Sequence, residues 1–196
     1  GAKTFPCLSV TATENAIMTA VLASGISVVY AAAAEPEIKD LILMLRSMGA
    51  KIKGAGTHNV TIEGVKKLSA PSQRRAEQGG GGFSYSIMPD PIVAMTFISA
   101  AICTDSRLLI KNCPIEFLEL ELYKLEKMGL KYNLKNKRKH KGGGSFEIVD
   151  IEILPSKLKA LPDKIYGRPF PGLNIDNLPL FVPILAKAKG RTLVHD

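Results

Sequence analysis

Four residues that could do chemistry stand where the sequence predicts that a helix begins. They are Ser9, Glu35, Asp90 and Asp176. The free backbone N–H groups of a helix N-terminus favour a bound phosphate, so Ser9 and its neighbours could hold a phosphorylated ligand. The same residue types also serve as helix caps or first-turn acids, which stabilise a helix and bind nothing. Residue type alone leaves both interpretations open at each position.

The cysteines and histidines do not form a recognisable reactive or metal-binding set. There are three of each, at Cys7, Cys103, Cys113, His58, His140 and His195. An odd number of cysteines without C-x-x-C spacing predicts neither a disulfide framework nor a zinc site, and it fits a reducing compartment. We therefore expect structural cysteines, no bound metal and a cytoplasmic location.

Basic residues are concentrated in one short run. Lys135, Lys137, Arg138, Lys139 and Lys141 contribute more than half of the formal net charge of +8. Binding of single-stranded nucleic acid usually pairs such charges with stacking aromatic side chains, and the run contains none. We therefore predict a mobile, solvated hairpin loop over residues 135–144, and a nucleic-acid partner is disfavoured.

The composition is that of an ordinary globular chain. Its 196 residues suffice for one or two domains, with 46% hydrophobic and 22% charged residues. No segment approaches the roughly 18 uninterrupted apolar residues of a membrane span, so we expect no membrane partner. Because the chain starts at Gly1 and shows no signal peptide, we expect a piece of a longer cytoplasmic protein.

Two segments share one layout, and a third copy begins near the end of the chain. In each, an apolar helix, a short strand, a second helix opened by proline and a hairpin follow one another. The second helices end at Met48-Gly49 and at Met128-Gly129, 80 residues apart. The third copy starts at Asp176. The sequence thus predicts two β-α-β-α-β-β units and the start of another.

Local signals give approximate bounds for these elements. The predicted helices start at Thr13, Pro36, Pro91 and Pro114, and the predicted strands cover 27–30, 50–53, 60–63, 108–110, 130–134 and 146–149. Glycine is predicted to stop the second helix of each unit. The first helix of each unit is apolar nearly all round, so it is predicted to be buried. Pro183 should kink the third such helix or delay its start.

Several motifs occur in the order found in one enzyme family. The first unit carries Glu35-Pro36-Glu37-Ile38, Gly49-Ala50-Lys51-Ile52 and Thr61-Ile62-Glu63-Gly64-Val65, and the later motifs are Met88-Pro89-Asp90 and the stretch from Pro171-Gly172 to Asp176. In this order they resemble the motifs of the UDP-N-acetylglucosamine enolpyruvyl transferases (1-carboxyvinyltransferases). The Gly-Asp and Ser-Ser signatures of the sister enzyme of the shikimate pathway are absent from these places.

The resemblance implies a reaction and a role for each helix-start residue. Enolpyruvyl is transferred from phosphoenolpyruvate to the 3-hydroxyl of UDP-N-acetylglucosamine, the first committed step of peptidoglycan synthesis. Asp176 would be the catalytic base, Glu35 would organise the phosphoenolpyruvate site, and Asp90 would be a substrate-binding carboxylate. The residues that it places against the UDP group are Cys7, Leu8, Ser9 and Val10. The proton donor would lie outside this chain, and no metal or organic cofactor is implied.

The family's fold implies the domain organisation. It is an α+β, inside-out α/β barrel of two lobes, each built from three repeat units with buried helices and outer sheets. Residues 1–68 would be the last unit of the first lobe, 69–84 a Gly/Arg connector, 85–163 the first unit of the second lobe, and 164–196 the truncated start of the next. Such a central fragment would be inactive alone, and its open apolar faces favour self-association.

Two alternatives stay open at the level of the sequence. The first is a diverged paralogue of the same family. The second is an RNA-end-processing or nucleic-acid-binding protein of the same repeat fold, supported by the basic run 135–141. Binding of UDP-N-acetylglucosamine would separate the transferase from the second alternative.

Overall fold

The computed structural model describes residues 2–4, 8–69, 85–140 and 146–195. They divide into two compact units, one ending at Met88 and the other beginning at Pro89. Cys7, residues 70–84 of the predicted connector, and residues 141–144 of the predicted loop, which include Lys141, lie outside the described residues.

The first unit contains the predicted β-α-β-α-β-β order in full. Its elements are β1 (Ala2–Thr4), α1 (Val10–Ala20), β2 (Ile26–Tyr30), α2 (Pro36–Ser47), β3 (Lys51–Lys53) and β4 (Asn59–Glu63). The strands form one sheet in the order β1-β2-β4-β3, in which β1 and β2 are parallel and the other pairs antiparallel. Ile17 of α1, Ile42 of α2 and Ile62 of β4 are fully buried in one core. The helices therefore cover one face of the sheet.

The second unit repeats this plan from the first helix onwards, with longer strands, and among its described residues no counterpart of β1 precedes that helix. Its elements begin with α3 (Pro91–Cys103), β5 (Leu108–Cys113), α4 (Glu119–Met128), β6 (Lys131–Lys139) and β7 (Glu147–Leu154). The three strands form an antiparallel sheet in the order β5-β7-β6. Met95, Leu125 and Ile151 are fully buried in its core.

The third copy lies in the last part of the second unit, and its first element precedes the predicted start at Asp176. It consists of β8 (Ile165–Tyr166), α5 (Leu178–Lys187) and β9 (Val194–His195). Ile165 of β8 pairs in parallel with Val194 of β9, just as Ala2 pairs with Val28 in the first unit. The predicted α+β architecture, with two repeat units and the start of a third, is confirmed.

Proline and glycine set the ends of α2 and α4 largely as predicted. Pro36 is the first residue of α2, where its missing N–H has no partner to lose. Gly49 and Gly129, with φ values of +96° and +104°, follow the two helices in the left-handed region that favours glycine. Pro114 does not open α4, because a 3₁₀ turn intervenes and α4 begins only at Glu119.

Pro183 lies inside α5 and does not delay the start of the helix, which begins at Leu178. That part of the prediction is wrong. Proline has no backbone N–H to donate to the carbonyl four residues earlier, so this turn of α5 has one backbone hydrogen bond fewer than a regular helix. The Ser99 hydroxyl of α3 donates to the Leu180 carbonyl at 2.8 Å and ties α3 to this weakened turn.

The predicted mobile loop over residues 135–144 is wrong for its first five residues, which belong to β6. Three basic side chains of the run form ion pairs with acids of β7, namely Lys135 with Glu152, Lys137 with Glu147 and Arg138 with Asp150, at 2.7–2.9 Å. The β6–β7 ladder carries a register shift between Lys135 and Arg138. Sequence pattern predicted the hairpin only as far as Leu134 and missed the extension of β6 over residues 135–139, where the register is displaced.

Two buried acids at the centre of the sheet hold both neighbouring strands. Asp150 accepts hydrogen bonds from the Asn136 side chain and the Asn112 N–H, and these bonds, with Arg138 beside them, lower its pKa to about 2. Glu152 is held by Lys135, by Asn133 and by Arg107, which likewise lower its pKa to about 2. The basic run is therefore tied into the sheet through acids of β7.

We expect these two carboxylates to make the second unit sensitive to acid. Their pKa values are depressed in the folded state, compared with about 3.9 and 4.3 in unfolded chains. They therefore stabilise the fold above about pH 4, and that stabilisation is lost as the pH falls towards 2. Urea unfolding at a series of pH values should show a shallower acid loss for Asp150→Asn than for wild type. Asp163→Asn, which removes an exposed acid outside the sheet, is the control; equal pH dependence in all three proteins would contradict the assignment.

The first helices of the units are not buried all round. In α3, Val93 and Phe97 lie one turn apart and are each 50% exposed, while Met95 and Ile98 are buried. Met18 and Leu22 form a similar exposed apolar pair at the end of α1. The prediction of full burial is thus wrong for one face of each helix. Within the described ranges, no helix combines the length and apolar character needed to cross a membrane.

We expect the 196-residue chain to self-associate through these exposed apolar faces. Contiguous exposed apolar surface of this kind is unusual on monomeric proteins, because burying it is favourable. Light scattering at increasing concentration should show dimers or larger species. Replacing Val93 and Phe97 together by serine should reduce association, whereas Tyr123→Ser on α4 should leave it unchanged. A strict monomer at high concentration would refute this expectation.

Candidate active site

The N-terminus of α1 is organised by side chains of its own first turn. The Ser9 hydroxyl caps the helix by accepting from the Ala12 N–H at 3.3 Å, and Val10 is its first residue. Because Ser9 is the cap, the helix starts three residues before the predicted Thr13. Leu8 and Val10 are half-buried.

Thr13 connects this turn to the segment that leads into α2. Its buried hydroxyl donates to the Ser9 carbonyl at 2.7 Å and accepts from the Ala33 N–H at 2.9 Å. Sequence pattern indicates Thr13 only as a capping residue, because Ala33 lies 20 residues away. The contact brings the start of α1 close to the chain just before Glu35. Leu8, Ser9, Val10 and Glu35 are thereby gathered in one part of the first unit.

Glu35 precedes α2 without capping it. Its backbone carbonyl accepts from the Ile38 N–H at 3.1 Å, but its side chain makes no capping hydrogen bond. The carboxylate oxygen Oε2 is buried and has no hydrogen-bond partner among the described residues. A buried carboxylate oxygen left without a donor is costly, so the site favours a ligand or solvent donor at this position.

Asp90 caps α3 in the manner expected from its sequence. Its Oδ1 accepts from the Ile92 N–H at 2.7 Å and from the Val93 N–H at 3.2 Å, and Pro91 occupies the first turn. Asp90 therefore has the structural role predicted for it, which is to cap the helix. Its exposed carboxylate remains open to solvent.

Asp176 does not cap α5. It lies in the middle of a 3₁₀ turn, Ile175–Asn177, and the side chain that caps this turn belongs to Asn174, whose Oδ1 accepts the Asp176 N–H at 2.8 Å. The Asp176 carboxylate is exposed and accepts no hydrogen bond from any described residue. It is therefore an acid at a helix start whose oxygens are not used in holding the fold.

Asp90 and Asp176 lie at the same end of a pair of packed helices. Ser99 of α3 contacts Leu180 of α5, and further along both helices the Lys187 ammonium donates to the Ile102 carbonyl at 3.0 Å. The contacts advance along both helices together, so α3 and α5 run parallel. Their N-termini, with Asp90 and Asp176, therefore point the same way in the second unit.

The described cysteines are poor nucleophile candidates. Burial raises the pKa of the Cys113 thiol to about 12, so it stays protonated near neutrality. Cys103 is half-buried in α3. Across the parts of the chain that the structure describes, no three His, Cys, Asp or Glu side chains gather as metal ligands.

Solved structures define the class of protein to which this fold belongs. EPSP synthase from Acinetobacter baumannii matches with a TM-score of 0.62 and 23% identity, over 99% of this chain and 40% of that one. The enolpyruvyl transferase NikO from Streptomyces tendae matches with a TM-score of 0.67 and 22% identity, over 94% of this chain and 38% of that one. The chain therefore has the fold of the enolpyruvyl transferases, which confirms the predicted fold class.

Sequence comparison gives the family. The profile of the family described as EPSP synthase (3-phosphoshikimate 1-carboxyvinyltransferase) matches residues 4–178, which is most of the chain. The chain belongs to this family, and the resemblance drawn from its motifs is confirmed.

Three curated relatives are named as UDP-N-acetylglucosamine 1-carboxyvinyltransferases. UDP-N-acetylglucosamine 1-carboxyvinyltransferase 2 of Caldanaerobacter subterraneus subsp. tengcongensis is 39% identical over 96% of this chain and 39% of the relative. A protein of the same name from Prochlorococcus marinus is 37% identical over 98% of this chain and 39% of the relative. UDP-N-acetylglucosamine 1-carboxyvinyltransferase of Ruthia magnifica is 47% identical over 64% of this chain and 27% of the relative. The chain spans about two fifths of the length of the first two.

Proposed function

We propose that the chain is part of an enolpyruvyl transferase that acts on UDP-N-acetylglucosamine and phosphoenolpyruvate. The observation that carries this proposal is the exposed Asp176 carboxylate, which is at a helix start but is not used as a cap. The names of the relatives support the sugar nucleotide as the acceptor. The corresponding biological role is the first committed step of peptidoglycan synthesis in the cytoplasm, which would serve cell-wall formation and cell shape.

The proposed reaction needs a base, an acid and a phosphate-binding site. The sugar 3-hydroxyl adds to C2 of phosphoenolpyruvate while C3 gains a proton. The tetrahedral intermediate then loses phosphate from C2 and a proton from C3, which restores the carbon–carbon double bond of the enolpyruvyl group. Asp176 accepts the proton of the hydroxyl as the general base. The N-terminal turn of α1, with Ser9 and Val10, contributes free N–H groups and a positive dipole end towards the UDP phosphates. Cys7 and Leu8, which precede Ser9 in the sequence, are the further residues proposed to contact the UDP group. No bound cofactor takes part in this scheme.

Glu35 and Asp90 complete the proposed substrate contacts. The buried, unpartnered Oε2 of Glu35 is suited to accept a hydrogen bond from a group that itself contacts phosphoenolpyruvate. Asp90 uses Oδ1 for capping, which leaves its second oxygen for a substrate hydroxyl or amide. We further propose that residues 1–68 close one lobe, 69–84 connect the lobes, and 85–163 with 164–196 open the other.

A second candidate acceptor is 3-phosphoshikimate, because the family profile is described by that activity. The curated relatives favour the sugar nucleotide over it, since those with 33–47% identity are named for UDP-N-acetylglucosamine. Nucleic-acid binding is less favoured than either. Three of the five basic side chains that suggested it are ion-paired with acids of β7, which reduces the local positive field.

Ligand titration of the full-length protein that contains this chain tests the proposal. Calorimetry with UDP-N-acetylglucosamine should show saturable binding, and shikimate 3-phosphate should give none. A single-stranded RNA should bind only at low salt, if at all, because contact through surface charge is lost as salt rises. Absence of sugar-nucleotide binding, or RNA binding that survives high salt, would contradict the proposed function.

A further inference from the structure

A buried polar pair lies directly behind the turn that carries Asp176. The Asn177 side-chain amide donates to Oε1 of Glu121 at 2.9 Å, and the two residues are 1% and 3% exposed. Glu121 is on α4, 56 positions earlier in the sequence. The neighbouring inward-facing residues of α4, Leu122 and Leu125, are apolar members of the core. Glu121 is therefore an acid at a helix position where packing alone would favour a hydrocarbon side chain.

The pair fixes the 3₁₀ turn from its inner side. Asn177 ends the turn, and its own N–H donates to the Asn174 carbonyl at 3.0 Å while the Asp176 N–H is held by the Asn174 side chain. On another side the backbone at Gly167 approaches so closely that a Cβ there would lie 2.7 Å from Cδ1 of Ile175. Asp176 thus projects from a turn whose flanking residues are all anchored, although its own carboxylate is free.

Burying the Glu121 carboxyl group costs free energy, so its contribution is better explained by the orientation of the 3₁₀ turn than by the stability of the fold. Taking a carboxyl group out of water is unfavourable unless hydrogen bonds offset it, and an apolar side chain of similar size is often as stable. Here the hydrogen-bond partner is the residue next to Asp176, so the bond fixes the orientation of that turn. A leucine at position 121 would fill the same space without holding Asn177.

We propose that Glu121 is a positioning residue, which acts through Asn177 to orient the Asp176 carboxylate towards the substrate hydroxyl. This inference rests on the proposed function of Asp176. A displacement of about 1 Å at a reacting group can cost on the order of 100-fold in rate, so the anchoring of this turn bears directly on turnover.

The unsatisfied side-chain oxygen of Asn177 makes a conservative substitution possible at Glu121. Its Oδ1 is buried without a partner among the described residues. In Glu121→Gln the new amide can still accept from Asn177 and can also donate to this Oδ1. Glu121→Gln should therefore keep the turn in place, whereas Glu121→Leu leaves both polar atoms of the Asn177 side chain without partners.

Hydrogen exchange on the 196-residue chain tests the anchoring without any enzyme assay. In Glu121→Leu the amides of Asp176 and Asn177 should exchange at least about tenfold faster than in wild type, because the turn opens locally. Glu121→Gln should restore slow exchange. Met128→Ala is the matched control, since it removes a fully buried side chain from the far end of the same helix. Equal exchange at the turn in Glu121→Leu and Met128→Ala would overturn the proposal.

Kinetics of the full-length protein test the consequence for catalysis. Glu121→Leu should lower kcat by about 10–100-fold with KM for the sugar nucleotide within about threefold, and Glu121→Gln should recover most of the rate. Met128→Ala should leave kcat near wild type below its melting temperature. If Asp176→Asn keeps full turnover, the proposed function fails, while hydrogen exchange still decides whether Glu121 holds the turn. If Asp176→Asn is slow but Glu121→Leu is as fast as Met128→Ala, only the positioning role is wrong.

Discussion

Asp176→Asn is expected to lower kcat of the full-length protein by about 10²–10⁴-fold, the usual contribution of a general base. Asparagine has nearly the same shape, and the Asp176 carboxylate accepts no hydrogen bond from the described residues that its loss would break. The fold should therefore survive, and KM for UDP-N-acetylglucosamine should change only modestly. Steady-state kinetics, under conditions where chemistry limits the rate, and thermal unfolding check both statements.

Asp90→Asn provides the comparison for this substitution. Asp90 is also an exposed aspartate at a helix start, but its Oδ1 caps α3, and asparagine is an equally good cap. We expect kcat of Asp90→Asn to stay within about threefold of wild type and any lost substrate contact to raise KM. A kcat of Asp176→Asn within a few-fold of wild type would remove Asp176 from the role of base.

The 196-residue chain alone is expected to show no measurable transferase activity. It spans about two fifths of the length of its relatives, and the proposed scheme requires a proton donor that the family resemblance places outside this chain. Groups that act together contribute non-additively, so loss of several removes almost the whole rate enhancement. The measurement is phosphate release from phosphoenolpyruvate in the presence of UDP-N-acetylglucosamine.

The control for this prediction is the full-length protein, assayed in parallel with the same substrates. The purified chain should match the buffer blank, while the full-length protein should release phosphate. Circular dichroism of the chain shows whether it is folded, which separates missing catalytic groups from a failure to fold. Sustained phosphate release by the folded 196-residue chain, at a rate dependent on both substrates, would refute the prediction.

The elements of the repeat could be predicted because their signals are local. Pro36 and Gly49 bracket α2 within the sequence that forms it, and the hairpin of Ile52 with Ile62 follows from short alternating strands. Because the second unit repeats the same layout 80 residues later, the same assignments could be made there. Tertiary contacts were not needed for any of these steps, which is why the order of elements could be predicted. The fold class was implied by the resemblance of the motifs to the enolpyruvyl transferases.

The β6–β7 hairpin was predicted, but the continuation of β6 beyond Leu134 could not be predicted from the same signals. Asn112 and Asn136 have φ values of +59° and +51°, and each lies where the ladder to β7 shifts its register. Such shifts are set by Asp150, which bonds both asparagines across the sheet. A run of lysines with glycines after it is typical of a loop, and only its pairing with acids of β7 makes its first half a strand.

In the candidate site too, local sequence signals did not reveal which side chains are held by hydrogen bonds. The stretch from Asn174 to Asn177 contains three residues that could each cap a helix. In the structure the Asn174 side chain caps the 3₁₀ turn Ile175–Asn177, and the Asp176 carboxylate caps neither this turn nor α5. Glu121 gave no local signal at all, because its partner Asn177 is distant in sequence. Sequence could therefore identify the positions at helix starts, but not which of them keep their oxygens available for chemistry.

The most direct test of the account is phosphate release by the full-length protein with phosphoenolpyruvate and a choice of two acceptors. With UDP-N-acetylglucosamine we predict steady release that is abolished or greatly slowed by Asp176→Asn. With shikimate 3-phosphate in its place we predict none. Release with shikimate 3-phosphate alone, or with neither acceptor, would contradict the account.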